Sequence, residues 1–227
     1  MSREEINLKN RKKHAVERSS RLFLVFVGGS VIGFLIEGVW SIFIEGHWIN
    51  HSATVWGPFC IIYGLGALML YALASRLRRR PMPSQFVICA LSGAVVEYFA
   101  SLFQEKVFGS TSWDYSGQLL NIGGRVSLKM TVLWGALGLF FVNAVYPLVG
   151  RVLEGLGGRV FTTFCAALFL IVCFDLTLSA FAVNRWRERT LGIADGRESA
   201  VDAYLDTHFG DERMRTVFSN MTFKKNN

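Results

Sequence analysis

The sequence predicts an all-α fold: a polytopic transmembrane helix bundle of about five spans with a parallel two-helix internal repeat. Three observations predict it. The 227 residues are 52% hydrophobic and their apolar residues fall into five long blocks, each near the roughly 20 residues that a helix needs to cross a bilayer. Basic clusters flank these blocks. A glycine–glutamate pattern in the first block returns in the third.

The five blocks define a transmembrane domain over residues 22–183. A basic segment, 1–21, precedes this domain, and a mixed-charge tail, 184–227, follows it. The stretch 104–125 is too polar to cross a bilayer and therefore forms a loop. The predicted spans are about 22–44, 53–75, 84–103, 126–148 and 160–183.

The distribution of Lys and Arg predicts the orientation. Residues 1–21 carry seven of them and residues 76–80 carry four, whereas residues 22–75 carry none. Cytoplasmic loops carry such an excess of basic residues, so we expect a multi-pass cell-membrane protein with a cytoplasmic N-terminus. The loops 45–52 and 104–125 then face outward. Five spans put the tail outside too, yet three arginines just after the fifth span favour the inside, so the side of the tail stays open.

Several classes of function are excluded or disfavoured. Because the basic clusters flank apolar spans, they indicate contact with a lipid bilayer and not with nucleic acid. The four cysteines lie inside predicted spans without metal-ligand spacing, so we expect no metal site and no cofactor. There is no P-loop, nucleophile elbow or zincin helix in the sequence. An enzyme is therefore disfavoured, although it stays an open alternative.

The internal repeat becomes visible when Glu37 is aligned with Glu97. Five of the thirteen aligned residues are then identical. Charged residues are rare in spans, so the matched glutamates favour a true repeat over chance similarity between two glycine-rich helices. The spans that follow share a Trp-Gly pair, and both halves start from the cytoplasm, which makes the repeats parallel. The two pairs are Trp56-Gly57 and Trp134-Gly135.

Glycine, glutamate and serine recur every four residues in both repeats and form a narrow stripe on each helix. Because glycine lets another helix approach closely, we expect the glutamates in a packed groove. They lie roughly 20 Å from the cytoplasmic end, a level that Asp175 also reaches. Helix packing explains the Gly and Ser positions as well as a transport site does, whereas the carboxylates favour a site. The stripe contains Gly33, Glu37, Ser41, Glu45, Gly93, Glu97, Ser101 and Glu105.

Arg125 is the cation expected to reach these acids, because it opens the fourth span from the outer side. Either it clamps one glutamate, or the acids face water and bind a cation or a proton. Aromatic residues and glycines in the preceding loop suit the membrane interface, or a re-entrant turn over the acids. The candidate substrate- or ion-binding residues are Glu37, Glu97, Arg125, Asp175, Ser41, Ser101, Asp114, Trp113, Tyr115 and Asn121.

Six motifs stand out: Gly33-x3-Glu37, Gly57-Pro58 with Tyr63-Gly64, Gly93-x3-Glu97, Trp113-Asp114-Tyr115-Ser116, Asn121-x3-Arg125 and Trp134-Gly135. Together they resemble the ABC-transporter type IV (CmpB-like) family of bacterial membrane permeases. The resemblance covers about residues 25–150, with Asp175 as a looser match. It implies a membrane subunit that works with a separate ATPase, in a homo- or hetero-oligomer.

Three functions are compatible with these features, in this order of preference. The first is a transport protein, a permease subunit with an intramembrane acidic site near the outer face. The second is a structural or accessory membrane protein in which Arg125 and the glutamates clamp the bundle. The third is a membrane-embedded enzyme that uses the acids and Asp114 as acid–base groups.

Overall fold

The computed structural model describes residues 2–193 and 199–224 of the chain. Within these residues the backbone is mostly helical, which confirms the all-α prediction. A short antiparallel sheet pairs β1 (Ser110–Thr111) with β2 (Thr222–Phe223). The helices are α1 (Arg3–Glu45), α2 (Ile61–Leu77), α3 (Met82–Phe108), α4 (Leu128–Glu154), α5 (Gly158–Leu191), α6 (Ala200–His208) and α7 (Asp211–Val217).

Local sequence explains where the long helices begin and end. Ser2 and Glu5 form a reciprocal capping box at the start of α1. Gly46 and Gly109, with φ of 76° and 59°, end α1 and α3 in the left-handed conformation that glycine adopts without strain. A π turn at Phe141–Val145 interrupts α4, just before Pro147, which cannot donate a backbone hydrogen bond.

Four helices in the part of the chain that the structure describes, α1, α3, α4 and α5, are long and apolar enough to cross a membrane. The second predicted span differs, because residues 53–60 are not helical and α2 begins only at Ile61. Pro58 supplies the reason, since proline disfavours helix in the residue before it and lacks an amide hydrogen. At 17 residues, α2 is roughly 26 Å long.

The bundle is built from two tight antiparallel helix pairs, α1 with α2 and α3 with α4. In each pair a glycine of the predicted stripe receives an aromatic ring: Tyr63 packs on Gly33, and Trp134 packs on Gly93. The close approach expected from the glycines is thus present. The predicted equivalence of the two Trp-Gly pairs is wrong, because Trp56 lies in the non-helical segment whereas Trp134 lies within α4.

The two ends of the bundle differ in composition. At the basic end, which contains residues 78–81 and 155–158, Arg21 Nη2 donates to the Leu156 carbonyl at 2.7 Å. The opposite end, called the loop end here, contains residues 46–60 and 109–127. The C-terminal segment 199–224, called the cap here, also lies at the loop end, since β2 in the cap pairs with β1.

The cap is attached to α5, which continues beyond residue 183, the predicted end of the fifth span, to Leu191. Arg185 Nη2 donates to Asp206 at 2.6 Å, and Arg189 Nε donates to Asp211 at 2.7 Å. Arg185 and Arg189, two of the three arginines that follow the predicted fifth span, are therefore partners of the cap. An apolar cluster completes the attachment and contains Val55, Ala182, Val183, Trp186, Leu205, Phe209, Met214 and Phe218.

Replacing Gly33 by alanine tests the close packing of α1 on α2. A β-carbon at this position would overlap Cβ and Cγ of Tyr63, atoms that cannot move without shifting α2. We expect Gly33→Ala to lower the unfolding free energy by about 1–3 kcal/mol, measured by denaturation in detergent. Gly28→Ala is the matched control, because no atom lies within 4 Å of its β-carbon. Equal stability of the two variants would contradict the packing.

The cap should loosen in acid. Hydrogen bonds from Arg185 and then Arg189 hold the pKa of Asp206 below its usual value. A lowered pKa in the folded state means that these ion pairs stabilise the cap above about pH 5, and that this stability is lost as the pH falls through the folded pKa. Hydrogen exchange in α6, corrected for the intrinsic rate, should therefore accelerate in acid. Asp206→Asn should remove this pH dependence, and an unchanged profile in that variant would exclude Asp206 as its source.

Candidate functional site

Glu37, the first glutamate of the predicted repeat, is held by a tyrosine of the neighbouring helix. The Tyr63 hydroxyl donates a hydrogen bond to Oε1 of Glu37. This geometry follows from the packing of Tyr63 on Gly33, one turn before Glu37. On the other side, Nε2 of His51 lies 4.0 Å from Oε2 of Glu37. Glu37 therefore meets a neutral hydroxyl and an imidazole.

The second glutamate is also held by a tyrosine, which comes from a loop. The Tyr115 hydroxyl donates to Oε1 of Glu97 at 3.0 Å, and the Trp134 side chain contacts the same carboxyl. Glu97 is only 3% exposed, and its Oε2 has no hydrogen-bond partner among the described residues. Burial and then the Glu97 charge raise the pKa of Tyr115, so this hydroxyl keeps its proton and acts as the donor.

The two glutamate–tyrosine pairs adjoin each other. The rings of Tyr63 and Trp134, one from each half, lie 6.3 Å apart between centroids. The Glu37 carboxylate also acts electrostatically on Tyr115, the partner of Glu97. In the described part of the chain, no lysine or arginine forms an ion pair with either carboxyl. The centre of the loop end thus combines two carboxyls with an aromatic wall and no fixed cation.

The loop 109–127 is folded by its own hydrogen bonds, and these position Tyr115. The Tyr115 amide donates to the Gly124 carbonyl at 2.8 Å, and the Trp113 indole donates to the Arg125 carbonyl at 3.0 Å. Asn121 donates to the carbonyls of Ser116 and Gln118 at 2.9 Å. Trp113 and Asn121, predicted as site residues, therefore close the loop and do not contact the glutamates.

Asp114 has the same local role. Its Oδ1 accepts the backbone N–H of Ser116 at 2.9 Å, and this bond lowers the pKa of Asp114. Gly123 and Gly124, with φ of 60° and 69°, make the turn that brings the chain back beside Asp114. The turn residues of this loop therefore hold Tyr115 in place.

Arg125 does not pair with Glu37 or Glu97, the two acids that it was expected to reach, but it does clamp one glutamate of the stripe. Its Nη2 lies 2.7 Å from Oε2 of Glu105, two turns beyond Glu97 on α3, and its guanidinium stacks over Tyr98 at 5.6 Å. Nζ of Lys224 approaches the same Glu105 oxygen at 3.4 Å. The last glutamate of the stripe is thus neutralised, whereas Glu97 is not.

A protein family described as "Putative ABC-transporter type IV" matches residues 24–180. The matched range contains both glutamate–tyrosine pairs and the folded loop. The chain belongs to this family. No curated protein and no solved structure matches the chain. The resemblance seen in the motifs is confirmed, and membership together with the four apolar helices indicates a membrane location and is compatible with a transport protein.

Asp175, also within the matched range of this ABC-transporter type IV member, forms a separate polar centre. It is 2% exposed, and its carboxylate accepts the backbone N–H groups of Gly57 at 2.8 Å and Trp56 at 3.2 Å. One turn later, the Ser179 hydroxyl accepts the N–H of Val55 at 2.8 Å. Asp175 was expected at the level of the glutamates, but its partners are the amides of the non-helical segment.

The two predicted serines are buried. Ser41 Oγ accepts the N–H of Ile49 at 2.8 Å and donates to the Gly38 carbonyl, so it anchors the chain that leaves α1. Ser101 lies one turn after Glu97 on the packed face of α3. The prediction missed Tyr63, Trp134 and His51 as neighbours of the acids, although Tyr63 and Trp134 belong to motifs already noted. Their aromatic character next to a packing glycine was the available signal.

Asp175 should be required to hold the non-helical segment. Asp175→Ala removes the acceptor of two part-buried amides, those of Trp56 and Gly57, so we expect a loss of about 1–3 kcal/mol in unfolding free energy. Asp175→Asn keeps one acceptor oxygen and should lose less. Asp114→Ala is the control, since it removes a similar carboxylate–amide bond at an exposed position. Denaturation in detergent measures all three, and a loss in Asp175→Ala no greater than in the control would disprove this role.

Proposed function

We propose that the protein is a transport protein, a permease subunit in which Glu37 and Glu97 bind a transported cation or a coupling proton. The observation that carries the proposal is the state of Glu97. Its carboxyl is buried, one oxygen has no partner, and the neighbouring donors are neutral. A buried acid usually has a fixed cation as its neighbour. In the proposal, a mobile positive charge takes that position beside Glu97.

The geometry suits reversible binding. An ionised carboxylate at this depth costs several kcal/mol unless it is paired or hydrated, so Glu97 without a cation favours its protonated form. The tyrosine hydroxyl stabilises the ionised form through one oxygen and leaves the other oxygen available. Each glutamate can therefore alternate between a proton and a cation without losing its tyrosine bond.

The proposal also includes the topology. We count α2 together with residues 53–60 as a crossing, which gives five spans and places the cap on the same side as the outer loops. The excess of basic residues assigns the basic end to the cytoplasm. There the short loops around residues 78–81 and 155–158 are the surface available to a separate ATPase, the partner that the family description suggests. The proposal further takes α3 as a repeat of α1, with the two acids at one level.

The ion pair between Arg125 and Glu105 favours a second candidate, a structural or accessory membrane protein. With Lys224 it fastens α3, the folded loop and the cap together. This clamp leaves Glu37 and Glu97 unexplained, so we rank it second. The third candidate, an enzyme, needs two carboxyls that face an open cleft. Glu97 is instead buried behind Tyr115.

Glu97→Gln tests the transport site, because glutamine keeps the size of the side chain but cannot exchange a proton. In purified protein, the infrared band of a protonated carboxylic acid should be present in the wild type and absent in this variant. In vesicles containing a pH-sensitive dye, proton uptake should fall by about a hundredfold or more, the scale on which a positioned proton-transfer group contributes. Glu37→Gln should also reduce uptake.

Glu105→Gln is the matched control, since it removes a glutamate of the same helix stripe that is already paired with Arg125. It should keep both the infrared band and the proton uptake. If Glu97→Gln inserts, folds and behaves as Glu105→Gln does in both measurements, the proposed site is wrong and the clamp becomes the preferred function.

A further inference from the structure

We infer that the end of the cap, residues 218–224, is a strap that closes the loop-end approach to Glu37 and Glu97. This inference rests on the proposed function and adds the regulation of the same site. The strap contacts both loops of the loop end, the one that brings His51 beside Glu37 and the one that brings Tyr115 to Glu97. It therefore controls both acids at once.

The strap first contacts the chain that covers Glu37. Phe218 and His51 form an isolated antiparallel bridge, and the Ser219 hydroxyl donates to the Asn50 carbonyl at 2.8 Å. His51 is the residue whose imidazole lies 4.0 Å from the Glu37 carboxylate. Movement of the strap is thus transmitted directly to the neighbour of the first acid.

The strap then contacts the loop that delivers Tyr115. Thr111 pairs with Thr222 across the short sheet, and their Oγ1 atoms lie 3.2 Å apart. The Lys224 amide donates to the Gly109 carbonyl at 3.0 Å. These residues begin the loop 109–127, so the strap holds the base of the loop whose Tyr115 binds the second acid.

Two parts of the cap differ in how firmly they are attached. Residues 199–217 are fixed to α5 by Arg185 and Arg189 and by the buried side chains of Leu205, Phe209 and Met214. The strap adds Phe218 to this cluster, and Met221 and Phe223 pack against it while only partly buried. The hydrogen bonds of the strap to the loops are few and mostly exposed. Segments with few buried contacts and exposed hydrogen bonds open at low free-energy cost. The strap can therefore release the loops while α6 and α7 stay in place.

A reversible disulfide between the strap and β1 tests this inference. Thr111→Cys with Thr222→Cys places two thiols at positions whose side chains already touch. The probe is a water-soluble carbodiimide with a small amine, and mass spectrometry gives the rate of modification at Glu37 and Glu97. In the oxidised protein we expect both rates to fall on the order of tenfold, because local opening is blocked. Reduction should restore them to the wild-type rates.

The two single-cysteine variants, treated with the same oxidant, are the matched controls, and modification of the exposed Glu4 at the basic end is the internal reference. A second variant, a chain that ends at Met221, removes the sheet pairing and should speed modification of both glutamates. Equal rates in the oxidised and reduced double variant would overturn the strap, as would an unchanged rate in the shortened chain.

The readout is chemical accessibility and does not depend on transport. If Glu97→Gln left proton uptake unchanged while the disulfide still protected both acids, the proposed function would fail and the strap would stand. If uptake were lost in Glu97→Gln but the disulfide had no effect on accessibility, the strap alone would fail.

Discussion

The carboxylate of Asp175, which binds the backbone amides of Trp56 and Gly57, is the interaction on which the loop end depends. Hydrocarbon offers no partner to a free backbone N–H, so non-helical chain at membrane depth must be satisfied by the protein itself. Ser179 and the Ser30 carbonyl satisfy two further amides of the segment, those of Val55 and Cys60. Because these backbone amides have hydrogen-bond acceptors, the non-helical segment can pack within the bundle.

The position of the glutamate–tyrosine pairs follows from that arrangement. Because α2 begins at Ile61, its first turn places Tyr63 beside Gly33 and opposite Glu37. In the second half the corresponding glycine receives Trp134, so the tyrosine for Glu97 has to come from elsewhere, and the folded loop supplies Tyr115. Helices α1 and α3 thus share one pattern, glycine before glutamate, while the elements that complete it differ.

The sequence predicted the features that depend on local composition. Apolar blocks are sufficient to predict α1, α3, α4 and α5, and the spacing of Gly93 and Glu97 is sufficient to predict a carboxyl in a packed groove. The sequence did not predict that Arg125 pairs with Glu105. This pairing depends on how Gly123 and Gly124 turn the loop. Arg185 and Arg189 after the predicted fifth span suggested a membrane boundary, whereas their partners in the cap lie 21 and 22 residues further along the chain.

The partners of the acids at the loop end distinguish the structural acids from the other two. Glu105, Asp206 and Asp211 each hold an arginine, and Asp175 holds backbone amides, so each of these charges is neutralised or solvated by a fixed group. Glu37 and Glu97 meet tyrosine hydroxyls, which can stabilise a negative charge but cannot neutralise it. A bundle that needed these two residues only for packing would gain from an arginine or an apolar side chain there. In the described residues neither acid is paired with a lysine or an arginine, and this has a physical use if a proton or a cation comes and goes.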